Sequence, residues 1–374
     1  MRIALLVPTL ETGGVERVFA NLANGLRKRG VEIDLVVGCA DGEMKMALER
    51  DIRLFDLSSK RMMKSIPKLA RYLQARKPEA VIAAMTHCSA AGVAARVISG
   101  HKVMIIGTEH NTMSQIRENT AGLKYRLMPR WSRWALDSAD VIVAVSSGVA
   151  DDLSAQTGIA RERIRVIYNP VINDTLYSAA AVGIDHPWFQ HREPPVILGV
   201  GRLDRQKDFS MLVRAFRLVR DRRVARLVIL GEGSDRKGIE QTIADHGLFG
   251  EVALPGSEAN PYRFMKRSAV LAMSSRWEGF GMVLVEALAL GVTVVSTDCT
   301  HGPAEILCNG KFGALVPVGD EEAMAQALLL ALDNPVRCDD ALHLEKFSTH
   351  TAVSSYLSLV TQHRNISASN DVES

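Results

Sequence analysis

Long apolar runs are missing from this 374-residue chain. No stretch approaches the roughly 18 uninterrupted apolar residues of a membrane-spanning helix, so the expectation is a chain not integral to a bilayer. The one early apolar run, 1–10, meets Glu11 and Gly13-Gly14 without the small-residue cleavage site of a secretory signal, and reads as a first strand. Cysteine pairing is missing too. Cys39, Cys88, Cys299, Cys308 and Cys338 are odd in number and contain no Cys-x-x-Cys, which argues against a disulfide framework or zinc site and points to a reducing cytoplasm. A formal net charge of +3 is too small by itself for a nucleic-acid binder. No Asp-x-Asp pair stands at a strand end, so no metal ligand set and no metal requirement are expected. Neither first loop reads Gly-x-Gly-x-x-Gly with an acid about twenty residues on, which counts against an NAD-dependent oxidoreductase.

What is present is alternation. Hydrophobic residues make up 47% and charged residues 23%, enough apolar material for a large core, and the length suits two domains of roughly 150 residues. Short β-rich runs at 2–8, 33–38, 80–85, 103–108 and 141–146 alternate with helical stretches, which predicts parallel strands with crossover helices. Residues 171–195 lose this period among Pro187, Pro194 and Pro195 and read as a linker. The pattern restarts at 196–201, 226–231, 251–254, 269–273, 292–297 and 313–316. Helices are expected at 321–332 and 349–362. The fold class is therefore α/β, with two Rossmann-like parallel sheets over 1–170 and 196–345, a C-terminal helix at 346–363 and a polar tail at 364–374.

Three segments carry the chemistry. EGFGMVLVE, 278–286, follows a strand and opens a helix, where free backbone N–H groups can hold a phosphate or hydroxyl and Gly279 and Gly281 allow close approach. Glu278 lies in the loop and Glu286 about two turns into the helix, as two carboxylates for different parts of one extended ligand. GRLDRQKD, 201–208, follows another strand, with Arg202 as a phosphate fork and Lys207 as a point charge at the strand end where open α/β sheets bind ligands. Thr12-Gly13-Gly14 mirrors this after the first strand, and Gly231-Glu232-Gly233 is a similar turn. His110 follows the strand at 103–108. The bland alternatives are solvated acids, a charged loop and a structural histidine.

Together EGFGMVLVEALALG, GRLDRQKDF, the N-terminal Gly-Gly loop, IYNPV at 167–171 and STDCTHGPAEIL at 296–307 resemble the retaining glycosyltransferases of family 4, from Arg2 to about Gln362. The resemblance implies the GT-B fold, with an N-terminal acceptor-binding domain and a C-terminal nucleotide-sugar-binding domain facing it across a cleft, and the helix at 346–363 packing back toward the N-terminal domain. It also implies bacterial polysaccharide or lipopolysaccharide assembly. Carried onto matching positions, Arg202 and Lys207 would bind the donor diphosphate, Glu286 the ribose hydroxyls and Glu278 the transferred sugar. Backbone amides of Phe280, Gly281, Met282 and Val283 would lie near sugar and phosphate, Gly14 near the diphosphate, and His110 beside sugar and acceptor. The base would rest by Leu254 and Gly256. His301-Gly302-Pro303 with Glu305 tilts the expectation to a UDP-linked hexosamine, a GDP-mannose-dependent mannosyltransferase being the alternative. A nucleotide-sugar epimerase and a silent nucleotide-sugar-binding scaffold are the rivals of other classes.

Charge distribution adds a partner. From Lys60 to Lys77 there are seven basic residues and no acid, with Met62, Met63, Ile66, Leu69 and Leu73 at helical spacing. Arg117 to Trp134 adds Lys124, Arg126, Arg130 and Arg133 with two tryptophans. These helices are expected to hold the chain at the inner face of the cell membrane, on a glycan or lipid-linked acceptor.

Overall fold

The computed structural model describes residues 1–374 apart from 12, 120–122, 191–192 and 373–374, and the side chains of these apart from 43, 123–127 and 366–372. The chain divides into two compact units, Met1–Val171 with Lys346–Ser374, and Ile172–Glu345.

The first unit is built on seven parallel strands: β1 (Arg2–Val7), β2 (Glu32–Val37), β3 (Arg53–Asp56), β4 (Ala80–Ala84), β5 (Met104–Glu109), β6 (Val141–Ala144) and β7 (Ile164–Val166). Their order is β3-β2-β1-β4-β5-β6-β7. Strands β4 and β5 are buried along their whole length, because helices cover both faces of a parallel sheet and leave no solvent side for polar alternation. The edge strands β3 and β7 were not expected from the sequence. They are short and charged, as edges are, and so carry no hydrophobic period.

The second unit holds β8 (Val196–Val200), β9 (Arg226–Leu230), β10 (Val252–Gly256), β11 (Val270–Met273), β12 (Thr293–Thr297) and β13 (Ala314–Val316), in the order β10-β9-β8-β11-β12-β13. Its core gathers Phe209, Leu212 and Phe216 of helix Phe209–Arg220 with Leu227, Ile229 and Leu328. In each sheet the strand order reverses once, at β1/β4 and at β8/β11. Open α/β sheets bind their ligands at such a reversal, beyond the carboxyl ends of the strands.

Three local expectations change. Within 171–195, Asp174–Ala181 is a helix whose N-cap Asn173 accepts from the Leu176 N–H at 3.0 Å. It packs on helix Pro261–Arg267, with Asn260 Nδ2 donating to Ala179 O at 2.9 Å. Its signal is faint because it is only two turns long, between the prolines. At the C-terminus, helix Thr349–Val372 continues through the stretch that reads as a polar tail. Its Val353 meets Gly25 of helix Gly14–Lys28 in the first unit, where any Cβ on Gly25 would collide. Finally, the helix carrying Glu286 begins at Met282, so Glu286 lies just over one turn in rather than two.

Candidate active site

The loops leaving β8 and β11, neighbours at the order reversal of the second sheet, bring two of the expected residues into contact. Lys207 Nζ lies 2.5 Å from Glu278 Oε1, and the Ser275 hydroxyl donates to the same oxygen at 2.6 Å. Both side chains are largely buried, at 17% and 8% exposure, so this ion pair is shielded from water and its geometry is fixed. The two loops are also stitched through backbone carbonyls. Ser274 Oγ donates to Lys207 O (2.7 Å), Arg276 N–H to Gln206 O (2.8 Å) and Gln206 Nε2 to Trp277 O (2.9 Å). Arg202 stands apart from this buried pair. Its guanidinium is 71% exposed, 3.2 Å from Asp204 and 3.4 Å from Gln206 Oε1, a cation open to a ligand from solvent.

Beyond Glu278 the chain passes through buried Phe280 to Gly281, whose φ of 91° is left-handed and turns the backbone into helix Met282–Ala289. The N–H groups of Met282 and Val283 head that helix, where no intrahelical carbonyl can reach them. Glu286 is 1% exposed, with the Tyr262 hydroxyl 3.5 Å from Oε1. Leu254 and Gly256 sit on the edge strand β10. Arg236 Nη2 donates to Leu254 O at 2.9 Å and Gly231 N–H to Gly256 O at 2.8 Å. The turn at 231–233 in turn touches the Arg202 loop, Leu203 N–H donating to Glu232 O at 2.9 Å. Gly231 has φ 147°, and a Cβ there would run into Gly201 O, so only glycine lets these two turns meet. The second unit thus brings Lys207 and Glu278 together, with exposed Arg202 on the Lys207 loop and Leu254 and Gly256 linked to that loop through 231–236.

In the first unit, Gly14 is the exposed first residue of helix Gly14–Lys28, after β1. Thr12 of the same expected loop lies outside the described residues. His110 follows β5 and is buried, its ring 5.8 Å from that of Phe19 on the Gly14 helix. The Thr108 hydroxyl donates to Ala83 O at 3.0 Å, so toward the His110 Nε2 at 2.9 Å it acts as acceptor. Nε2 therefore carries the ring proton and Nδ1 presents a lone pair. Burial holds the His110 pKa down at about 4, so the ring is neutral near pH 7. Beside it Glu109, which sequence reasoning missed, accepts from the Thr86 hydroxyl at 2.6 Å and from the N–H groups of His110 and Asn111. Burial pushes the Glu109 pKa up. Its signal was only its place before His110 at a strand end. Ser275, Gln206 and Arg276 were missed likewise, although all lie within or next to the segments singled out.

The basic stretch at 60–77 differs from the expected single amphipathic helix. Residues Met62–Ser65 form a 3-10 turn, and the α-helix starts at Ile66 with Pro67 in its first turn. Met62, Leu69 and Leu73 are buried, but Met63 is 45% exposed. Arg76 turns inward to buried Asp34 at 3.1 Å. Lys60, Arg61, Lys64, Lys68, Arg71 and Lys77 remain exposed. In the second stretch, Trp131 and Trp134 are exposed on helix Leu123–Asp137, whereas the side chains of Lys124 and Arg126 lie outside those described. Among the described residues no helix is long and apolar enough to cross a membrane, and no three His, Cys, Asp or Glu side chains are grouped to hold a metal ion.

Against known proteins, the family model of glycosyl transferases group 1 matches residues 185–348 and that of glycosyltransferase family 4 matches residues 12–174. The Campylobacter jejuni N-acetylgalactosamine-N,N'-diacetylbacillosaminyl-diphospho-undecaprenol 4-alpha-N-acetylgalactosaminyltransferase is 34% identical over 52% of this chain and 52% of its own length. The chain thus spans about half the length of that relative. The lipopolysaccharide core biosynthesis glycosyltransferase LpsE of Rhizobium meliloti is 28% identical over 87% of each. Among solved structures, Anabaena HepE in complex with UDP and glucose aligns with a TM-score of 0.78 at 20% identity, covering 96% of this chain and 99% of that one, a likeness of fold.

Proposed function

The chain belongs to the GT-B glycosyltransferases that join a family 4 domain to a group 1 domain, and on that premise we propose that it transfers a sugar from a UDP-linked hexosamine, or another UDP-hexose, to a lipid-linked glycan with retention of configuration. The carrying observation is the shielded Lys207–Glu278 pair beyond the carboxyl ends of β8 and β11, 2.5 Å apart, with exposed Arg202 on the same loop as Lys207. A nucleotide sugar needs positive charge where its diphosphate departs and an acceptor for hydroxyls where its sugar rests. This pair supplies both side by side.

In the reaction the bond from the anomeric carbon to the diphosphate oxygen breaks and one to the acceptor oxygen forms on the same face. The acceptor's proton passes to the departing phosphate. Lys207, Arg202 and the amides of Met282 and Val283 stabilise charge that grows on that phosphate. Glu278 orients the sugar and attacks nothing. Glu286 takes the ribose hydroxyls, and Leu254 and Gly256 flank the base. Neutral His110 offers its Nδ1 lone pair to a hydroxyl of sugar or acceptor, and Gly14 leaves room for the diphosphate. The diphospho-undecaprenol in the printed name of the Campylobacter relative supports a lipid-linked acceptor. The UDP in the Anabaena structure supports that nucleotide. The exposed cations of 60–77 favour work at an anionic membrane surface.

The test is incubation with UDP-N-acetylhexosamines, UDP-hexoses and GDP-mannose against a polyprenyl-diphosphate-linked glycan, with mass and anomeric configuration of the product read out. The expected result is an α-extended glycan from a UDP-sugar, unchanged by EDTA because Arg202 and Lys207 carry the charge. Extension from GDP-mannose alone would replace the donor. Sugar epimerised without acceptor, or no turnover of any donor, would overturn the reading.

A further inference from the structure

The pairing of Lys207 with Glu278 is bracketed by a second ion pair running the opposite way. Asp208, one residue after Lys207, lies 2.8 Å through Oδ2 from Arg276 Nε, two residues before Glu278. The Asp208 side chain is 8% exposed and that of Arg276 43%. Asp208 also has φ 46° and ψ 47°, the left-handed region, in which an L side chain is strained and glycine is at ease. An outlier of this kind persists only where surrounding structure repays it. Here two contacts do so. Asp208 is the N-cap of helix Phe209–Arg220, its Oδ1 accepting from Met211 N–H at 3.4 Å, and its other oxygen holds Arg276. The approach to Arg276 is ionic rather than a well-aligned hydrogen bond, since Oδ2 has no hydrogen-bond partner.

We propose that Asp208 and Arg276 are positioning residues, a cross-loop clasp that sets where Lys207 and Glu278 stand relative to each other. The proposal rests on the glycosyltransferase reading of that pair. The N-cap alone does not explain Asp208, because capping asks only for an acceptor on an extended residue. Nor does the left-handed turn, which glycine would make without strain. What needs a carboxylate here is the guanidinium of the opposite loop. The backbone bond from Arg276 N–H to Gln206 O and the side-chain bond from Gln206 Nε2 to Trp277 O join the same two loops. A loosened clasp leaves those bonds alone to set the spacing of Lys207 and Glu278.

The experiment compares Asp208→Asn, which keeps a capping oxygen and tolerates the left-handed backbone, with Asp208→Gly, Arg276→Gln, Arg276→Lys and the double variant Asp208→Asn/Arg276→Gln. Two quantities are read on the full chain: kcat and donor KM with the best nucleotide sugar, and, without any substrate, the acylation rate of the Lys207 amine by competitive labelling. We expect kcat to fall about tenfold in Asp208→Asn, Asp208→Gly and Arg276→Gln, less than the roughly hundredfold that a misplacement of about 1 Å can cost. Arg276→Lys should recover much of it. The double variant should be no worse than the singles, as for residues that act through one contact. Lys207 labelling should rise severalfold in the same variants while their melting temperature stays near wild type. Unchanged labelling and kcat in folded Asp208→Asn and Arg276→Gln would overturn the clasp, as would additive losses in the double variant. If no nucleotide sugar is turned over by wild type, the enzymatic reading fails by itself, and labelling still decides whether the clasp holds Lys207.

Discussion

His110 is a neutral ring with a defined tautomer because its neighbours leave no choice. Burial disfavours the imidazolium, and the Thr108 hydroxyl, committed as donor to Ala83 O, accepts a hydrogen bond from Nε2–H. The folded pKa of about 4 lies below the unfolded 6.5. Between them the unfolded chain binds a proton that the folded chain refuses, so this residue's contribution falls as pH drops through that window, by on the order of 3 kcal/mol in all. Glu109, raised by burial, works in the opposite direction just above its ordinary pKa. The measurement is therefore a difference: His110→Asn should lose less stability than wild type between neutral pH and about pH 5 in denaturant titrations. Lys207→Ala strands a buried carboxylate, so we expect it to lower stability by about 3 kcal/mol and turnover by about a hundredfold or more. A folded Lys207→Ala with near-normal turnover would remove Lys207 from the chemistry. Glu278→Gln and Glu286→Gln should separate. The first releases Lys207 from a competing carboxylate, so free UDP binds as well or better while transfer collapses. The second weakens UDP itself. Calorimetry with UDP distinguishes them, and equal losses would show the roles misassigned.

At the scale of elements, the basic stretch at 60–77 shows how one helix can serve two purposes. Leu69, Leu73 and Tyr72 bury one side against the first sheet, while Lys64, Lys68 and Arg71 stay in water. Packing thus leaves the cations free for headgroups, each adding roughly 1 kcal/mol near an anionic surface. Flotation with phosphatidylserine vesicles at low salt should carry the wild type up. Lys60, Arg61, Lys64 and Lys68 replaced together by Glu should leave the chain at the bottom. Equal flotation of both would place the membrane contact elsewhere.

At the scale of the molecule, each unit has its own sheet, core and order reversal, and the charged residues proposed for the donor, Arg202, Lys207, Glu278 and Glu286, belong to Ile172–Glu345. A ligand that binds only the folded form stabilises it by RT ln(1 + [L]/Kd), about 2.7 kcal/mol at a hundredfold excess over Kd. UDP alone should therefore raise the melting temperature and slow hydrogen exchange first in the loops after β8 and β11 and at the start of helix Met282–Ala289. Protection that begins instead around Gly14 and His110 would move the nucleotide to the other unit.

Much of this was legible without coordinates. Continuous apolar runs declare buried parallel strands, since a strand covered on both faces has no polar alternation, and charged residues directly after such runs must stand at the carboxyl edge. Arg202, Lys207, Glu278 and His110 were placed there by that reasoning alone. Edge strands β3 and β7, the short helix Asp174–Ala181 and the register of Glu286 were not, because short or charged elements carry no period and prolines mask what lies between them. Only tertiary structure put Lys207 on Glu278, 71 residues apart in sequence, and Asp208 on Arg276. Only it gave His110 its proton on Nε2. Sequence determines which chemical groups arrive at the strand ends, because hydrophobic periodicity is local. Which of them touch depends on the order in which strands pair, and that is settled by packing over the whole unit.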